Sequence, residues 1–471
     1  MEWIIMVLLL FGMGNFLLSV VSFVVLPIAA DQTIRTLAFT GPILPAIAVL
    51  SLAFCLFYRK NAPHDTVTTA IFALSFWCLH LGLSNFIIYC SIFITNGYFH
   101  LSGPTILFII NGISTSAILI VAFISVNKYY LTTTDDDGND HNHTRRGIWV
   151  RYSWADEYGC CDVQYKTLAV WQIFAGIVLT IIGMVGLFNV TIVYPVVAIA
   201  AGSMIFTSGI MGEFTAKLNS ANTGNWFVAF SRIAMMACWL VMICDIVYMA
   251  QGATSFISNR SLIYVFLFIL LAASIVGFFF AVYVEVLVGS RLGLHKFDSV
   301  RNGEEWMGYE YAIQSREFCF AVIQFISAMI CFVAAVLAIA ILYGDPIVVF
   351  TGLTGCLLMA SGRTAANILR KKCVMTYSTY TILCVLTSFF IVANLIMSGY
   401  QLFLKISSND ASSTFLAACI MSIFASLIAL PTTLYSVHFY YMKVKSLLAN
   451  DTRQIRVAQN AEGKPLLDQD I

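Results

Sequence analysis

Two stretches decide the fold: Tyr194–Lys217, YPVVAIAAGSMIFTSGIMGEFTAK, and Gly344–Arg363, GDPIVVFTGLTGCLLMASGR. Each is led by a proline, Pro195 or Pro346, and carries two glycines on one helical face, Gly202 and Gly209 or Gly355 and Gly362. The first runs into Glu213 and Lys217, the second into Arg363. Proline suits the first turn of a helix, where its missing N–H costs nothing. An apolar run of about 20 residues, rising about 1.5 Å per residue, matches a hydrocarbon layer of about 30 Å. The paired glycines predict that a neighbouring backbone approaches this face closely. A third stretch, led by Pro42 and ending at Arg59-Lys60, has the same outline, with Ala46 and Ala53 as a weaker version of the glycine pair.

The rest of the chain has the same character. Of 471 residues, 60% are hydrophobic and only 10% charged, whereas a soluble domain carries roughly a quarter charged residues. That excludes the large soluble catalytic folds, and a formal net charge of +1 gives no reason to expect a nucleic-acid partner. The lipid bilayer is the main solvent and the first partner. The predicted fold class is an all-α, polytopic transmembrane helical protein. Twelve spans are expected near 4–27, 40–58, 67–93, 105–126, 168–189, 192–212, 226–250, 262–286, 318–342, 346–366, 376–402 and 413–440. The first run is preceded by Glu2 and by no basic residue, and it exceeds a signal peptide's apolar core of about 7–15 residues, so it is read as a span.

Alternate loops differ sharply in charge. One side collects Arg59 and Lys60; Lys128, Arg145, Arg146, Arg151 and Lys166; Lys217; Arg291, Lys296, Arg301 and Arg316; Arg363, Arg370, Lys371 and Lys372; and Lys443, Lys445, Arg453, Arg456 and Lys464. The other has Arg35, Arg260 and Lys405. Lys and Arg resist translocation, so the basic side is predicted to be cytosolic, with both termini on it. None of the 13 cysteines falls in a predicted outer loop, and no extracellular disulfide framework is expected.

The long inner loops follow the fourth and eighth spans and divide the chain as four, four and four. Self-similarity at a period of about 150 to 160 residues yields three tandem four-helix units, 1–130, 167–290 and 317–445. They are separated by cytosolic loops 131–166 and 291–316 and followed by a cytosolic tail, 446–471. In the third span of each unit a polar residue sits in the outer third: Asn85, Asp245 and Asn394.

A four-span unit with inner termini and a proline-led second helix resembles the membrane-spanning four-domains family, which includes the B-lymphocyte antigen recognised by therapeutic anti-B-cell antibodies. The residues carrying this are Tyr194-Pro195 through Ser208-Gly209 to Glu213-Phe214-Thr215-Ala216-Lys217, with Gly344-Asp345-Pro346 to Ala360-Ser361-Gly362-Arg363 as counterpart. Members of that family usually have one unit, and the cysteine-bearing outer loop of some of them is missing here. The resemblance implies a non-enzymatic membrane organiser or signalling adaptor, with ion-conductance roles suggested for some members.

Ionisable and polar residues inside spans are costly and each is a functional hypothesis by default. Arg232, Glu213, Glu285 and Glu317 lie near the inner interface, where snorkelling or headgroup contact is expected. For Asn85, Asp245 and Asn394 the expected role is hydrogen bonding between repeats, the alternative an ion or substrate pathway. His80 is expected to bond a neighbouring helix rather than relay protons. Pro431 is expected to kink the last span.

The loops add weaker signals. Asp135-Asp136-Asp137, His141, His143 and Cys160-Cys161 match no zinc module, so no metal or cofactor is expected. Cys160 and Cys161 are candidates for palmitoylation, and Asn189 and Asn259 for N-glycosylation on the outer side. Glu462-Gly463-Lys464-Pro465-Leu466-Leu467 resembles the acidic dileucine signal read by clathrin adaptors, with Glu462, Leu466 and Leu467 as its readable residues. It points to the plasma membrane and an endosomal or lysosomal itinerary. No phosphate-binding loop, His-Glu-x-x-His helix or nucleophile elbow is present, so an enzyme is not expected. Two readings follow: a membrane organiser or trafficking adaptor contacting other membrane proteins and clathrin adaptors, or a transporter or channel with a polar path between the units.

Overall fold

Apolar runs of this length have no water with which to satisfy their backbone, so they close their hydrogen bonds internally as helices. The computed structural model describes residues 2–25, 32–58, 64–96, 162–189, 193–218, 221–250, 260–291, 315–341, 346–370, 374–408 and 413–461, together with Ile110 and Ile113. Among them are eleven helices: α1 Glu2–Val25, α2 Gln32–Tyr58, α3 His64–Asn96, α4 Asp162–Asn189, α5 Val193–Leu218, α6 Ala221–Ala250, α7 Arg260–Arg291, α8 Arg316–Ile341, α9 Pro346–Arg370, α10 Val374–Ser408 and α11 Ser413–Ala461. Nine of these, α3 to α11, are long and apolar enough to cross a membrane, and α1 and α2 contain the shorter apolar stretches Met6–Val21 and Ile43–Tyr58. The protein is a multi-pass integral membrane protein. Apart from Ile110 and Ile113, the expected fourth span, 105–126, lies outside the described residues.

Two boundaries differ from expectation. Pro195 and Pro346 fall in the first turns of α5 and α9, but α2 begins at Gln32 and so contains Pro42 well inside it. A proline inside a membrane helix is tolerated where neighbouring groups take up the freed carbonyl. Helix α11 runs on through Lys443 and Lys445 to Ala461, so the first part of the expected tail is helical. Its sequence there is rich in Leu, Ala, Gln and Arg, all good helix formers, and the next breakers are Gly463 and Pro465.

Helices pack in consecutive order. In α4–α7 and again in α8–α11 the first packs on the second, the second on the third, the third on the fourth and the fourth on the first; α1, α2 and α3 pack in sequence. The three groups touch one another chiefly through their second and third helices, with first helices α4 and α8 adding contacts to α3 and α6. Helix α3 meets α5 and α6, α6 meets α8, α9 and α10, and α10 meets α2 and α3. The third helices α3, α6 and α10 therefore pack mutually at the centre. Burial follows: 83% of the α5 span and 89% of the α9 span are inside, against 28% for α7 and 39% for α4 and α11.

The tightest contacts lie at the glycines. A Cβ on Gly202 would stand 2.8 Å from the Gly176 carbonyl oxygen and 2.9 Å from the Thr180 nitrogen; one on Gly209, 2.8 Å from the Ala169 oxygen and 2.7 Å from the Ile173 nitrogen. Helices α4 and α5 thus touch backbone to backbone. On α9, a Cβ on Gly355 would stand 3.3 Å from the Ala328 oxygen, and one on Gly362 3.3 Å from the Ala321 oxygen. Ala169 and Ala321, Gly176 and Ala328, Gly202 and Gly355, and Gly209 and Gly362 thus make corresponding contacts at nearly the same offset in numbering. Gly12 of α1 faces residues of α2 with the four-residue spacing at which Gly176 faces Gly202 and Phe206, but more loosely: a Cβ there would meet the Leu50 side chain at 2.8 Å and the Ala46 oxygen only at 3.5 Å.

Backbone atoms cannot give way as a flexible side chain can. Gly209→Ala is expected to cost about 1–3 kcal/mol, the range for overpacking, while Gly362→Ala, with looser neighbours, costs less. Thermal unfolding of the two variants in the same lipid nanodisc measures the difference, and equal losses would contradict it.

Candidate functional site

The centre of the helix assembly is filled by aromatic rings. Trp226 lies against Phe230 at a centroid distance of 6.0 Å, Phe230 against Trp77 at 6.3 Å, and Trp77 against Phe390 at 6.4 Å. These rings come from α6, α3 and α10, one from each group of helices, and each residue is at most 1% exposed. The Trp77 indole donates to Ser203 Oγ of α5 at 3.0 Å, which fixes the ring about its own axis.

A charge cluster joins the second and third groups near the ends of α6, α7 and α9. Arg232 of α6 makes a two-point bond to Glu285 of α7, Nε to Oε2 at 2.5 Å and Nη2 to Oε1 at 3.1 Å. Its Nη1 reaches Thr364 Oγ1 of α9 at 3.3 Å. With the Asn367 amide turned so that its oxygen accepts, that oxygen lies 2.8 Å from Nη1 and 2.5 Å from Nη2. Arg363, partly exposed, approaches the same carboxylate at 3.4 Å. Arg232 is 3% exposed, so the expected snorkelling is replaced by pairing across helices. A charge in so dry a place persists only when it is paired and bonded all round. Glu317 is likewise paired, with Lys443 at 3.6 Å, and the Lys443 ammonium lies 4.5 Å from the centre of the Tyr377 ring.

The polar residues singled out in the third spans have three different environments. Asn394 is fully bonded: its amide donates to Ser422 and Ser426, both at 2.9 Å, and its oxygen accepts from Thr351 at 2.8 Å. Asn85 is buried on α3. Asp245 is wholly buried on α6, and among the described residues neither carboxylate oxygen has a hydrogen-bond partner. His80 Nε2 lies 2.9 Å from Thr180 Oγ1, whose hydroxyl donates to the Gly176 carbonyl at 2.8 Å. Oγ1 must therefore accept from His80, which assigns the Nε2–H tautomer. The ring also rests against Phe206 at 4.5 Å.

Two buried glutamines, not singled out from the sequence, bond from helix to helix. Gln172 of α4 donates to Ser231 of α6 at 3.4 Å and accepts from Ser208 of α5 at 3.0 Å. Gln324 of α8 donates to Tyr380 at 3.0 Å and to Cys384 at 3.7 Å, both on α10. Gln172 and Gln324 are related by the offset of the glycine contacts, and so are Ser231 and Cys384. Carried along α6 and α10, that offset sets Asp245 beside Ser398, one turn beyond Asn394, and Val241 beside Asn394. Glu285, Gln172 and Gln324 were recoverable from sequence as polar residues inside apolar runs.

Among the described residues no three His, Cys, Asp or Glu side chains converge as metal ligands. Cys160, Cys161, Asn259, Glu462, Leu466 and Leu467 lie outside the described residues, and Asn189 ends α4. Comparison with family models, with curated proteins and with solved structures returns no match.

Removing one partner of the Arg232 pair leaves a buried uncompensated charge. Glu285→Ala is expected to cost about 3–5 kcal/mol, and the apolar pair Arg232→Met/Glu285→Leu to cost less than either single change. A double-mutant cycle read by thermal unfolding in nanodiscs checks this, and additive losses would show the pairing to be inconsequential.

Proposed function

We propose that the protein is a non-enzymatic membrane organiser built from three tandem four-helix units closed into a pseudo-threefold ring, with its termini and basic loops in the cytosol. The observation that carries the reading is the ring column Trp226–Phe230–Trp77–Phe390, which occupies the line along which a pathway between units would run. A closely packed aromatic axis favours a scaffold presenting its loops and tail to partners over a conduit. The recurring contacts at Gly202 and Gly355, at Gly209 and Gly362, and at Gln172 and Gln324 support the repeat. The likeness to the membrane-spanning four-domains family is compatible with this reading, as three fused units would supply in one chain what single-unit members supply as separate chains.

The second reading, a transporter or channel, is favoured by one observation: Asp245, a wholly buried acid with no hydrogen-bond partner among the described residues. Cysteine scanning separates the two. Asn85, Asp245 and Asn394 are replaced singly by cysteine in a background lacking reactive native thiols, and intact cells are treated with a membrane-impermeant thiol reagent. The organiser predicts protection at all three in protein that still reaches the membrane. Labelling at all three, blocked by a candidate solute, would overturn it in favour of transport.

An organiser that travels between the surface and endosomes needs an address, and the tail motif supplies a candidate. Leu466→Ala/Leu467→Ala is expected to raise the surface fraction of the protein several-fold, measured by surface biotinylation. An unchanged distribution would remove clathrin adaptors from its partners.

A further inference from the structure

Gln172 and Gln324 hold the same place in their helix groups, yet one is closed and the other open. Around Gln172 each end of the amide has a partner: the nitrogen donates to Ser231, the oxygen accepts from Ser208, and the two hydroxyls lie 2.6 Å apart. Around Gln324 the nitrogen is occupied by Tyr380 and Cys384, but among the described residues the oxygen has no donor. Ser361, the counterpart of Ser208, turns its hydroxyl back to the Leu358 carbonyl at 3.0 Å instead. One turn further along the same face of α8, the Ser327 hydroxyl also has no partner among the described residues. Gln324 and Ser327 are both wholly buried.

The surroundings are more polar than those of Gln172. Tyr380 stands where the second group has Phe227, and its hydroxyl passes the chain on to Ser436 of α11 at 3.3 Å. Thr433, one turn away on α11, accepts from Ser388 of α10 at 3.0 Å. Tyr380 and Cys384 thus hold the amide nitrogen, and Ser436 continues the hydroxyl chain from Tyr380. A buried amide oxygen without a donor forfeits its hydration with nothing in return, and proteins ordinarily relieve that cost with an internal guest that donates a hydrogen bond. Gln324 lies about 10 Å along α8 from Glu317, by the helical rise. Beyond Tyr440, which packs edge-on against Tyr380 with centroids 5.2 Å apart, lies the Glu317–Lys443 pair, with Lys443 partly exposed. The approach from this basic end is the short one.

We propose that Gln324 Oε1 and Ser327 Oγ form a binding site, inside the α8–α11 bundle, for a small neutral hydrogen-bond donor entering from the basic end. The guest is a resident water or a small hydroxyl- or amide-bearing solute, which share this chemistry. The site does not depend on the organiser reading, since it lies within one bundle and not on the axis between bundles.

The test uses native thiols of equal burial. Cys384 lines the site, while Cys238 and Cys356 are just as buried elsewhere. The full chain in nanodiscs is exposed to radiolytic hydroxyl radicals, with and without glycerol or formamide, and oxidation is read by mass spectrometry. Cys384 and Tyr380 are expected to oxidise several-fold faster than Cys238 and Cys356. Glycerol and formamide scavenge radicals at every residue alike, so an unchanged ratio of Cys384 to Cys238 and Cys356 oxidation identifies resident water, whereas a ratio lowered by either additive identifies an exchangeable solute site. Gln324→Leu/Ser327→Ala should bring Cys384 down to the rate of Cys238, while Gln172→Leu should leave it unchanged. Cys384 reacting no faster than Cys238 and Cys356 in the unaltered chain, a measurement that needs no variant, overturns the proposal. So does a rapid rate that persists in the Gln324→Leu/Ser327→Ala protein.

Discussion

The contact between the backbones of α4 and α5 at Gly176, Gly202 and Gly209 is the constraint on which the packing depends. In a bilayer the lipid tails are as apolar as leucine, so helices gain little from merely hiding apolar surface from one another. What they gain comes from dispersion at close range and from hydrogen bonds that lipid cannot offer. Both rise as the helices approach, and only residues without bulk permit the approach. Once α4 lies flush on α5, Thr180 comes within reach of His80 on α3, and Gln172 within reach of Ser208 and Ser231. The glycine contact therefore sets the geometry of the polar bonds as well as the separation of the helices.

Polar groups follow a consistent placement. The outward faces of α4, α7 and α11 carry Trp171, Phe174, Phe268, Phe279, Phe424 and Leu434, all exposed, as a lipid-facing surface requires. Hydroxyls, amides and the Arg232–Glu285 pair are turned inward, where they bond from helix to helix. Breaking Arg232 from Glu285 would be costly, yet the pair need not add net stability over an apolar pair of the same shape. Its geometric effect is clearer. By holding α6, α7 and Thr364 of α9 to one guanidinium, it fixes the second helix group against the third in one orientation.

Much of this was legible in the sequence, for reasons that can be named. Length of apolar runs marks membrane helices directly, and nine of the expected spans fall on described helices long and apolar enough to cross, while two more fall on α1 and α2 with their shorter apolar stretches. The glycine pairs predicted a close helix contact because spacing of seven residues keeps one face. The partner of Arg232 was not legible, because Glu285 is distant in the chain and only folding brings the two to the same depth. The alignment of Asp245 with Asn394 slipped by one turn for a related reason. A shift of four residues keeps both on the same helix face, so apolar segments match almost equally well in either register. Only the bonds from Gln172 to Ser231 and from Gln324 to Cys384 distinguish the two. Pro42 was assigned to a helix start by analogy with Pro195 and Pro346, although proline is also tolerated within membrane helices.

The corrected register changes what Asp245 means. In the third group, Ser398 at that position bonds Ser422 at 2.9 Å and belongs to the closed network around Asn394. In the second group, Val241 stands at the place of the asparagine, and Asp245 has no hydrogen-bond partner among the described residues. The reverse holds near the basic end, where the Gln172 network is closed in the second group and the Gln324 network open in the third. Among the described residues, the two four-helix groups thus leave buried polar groups without a partner at different depths, α6 at Asp245 and α8 at Gln324, while the close contacts of Gly202, Gly209, Gly355 and Gly362 with the neighbouring helix recur in both. Close packing maintains the assembly, and the choice of which buried polar groups go without a partner is where individual bundles acquire properties of their own.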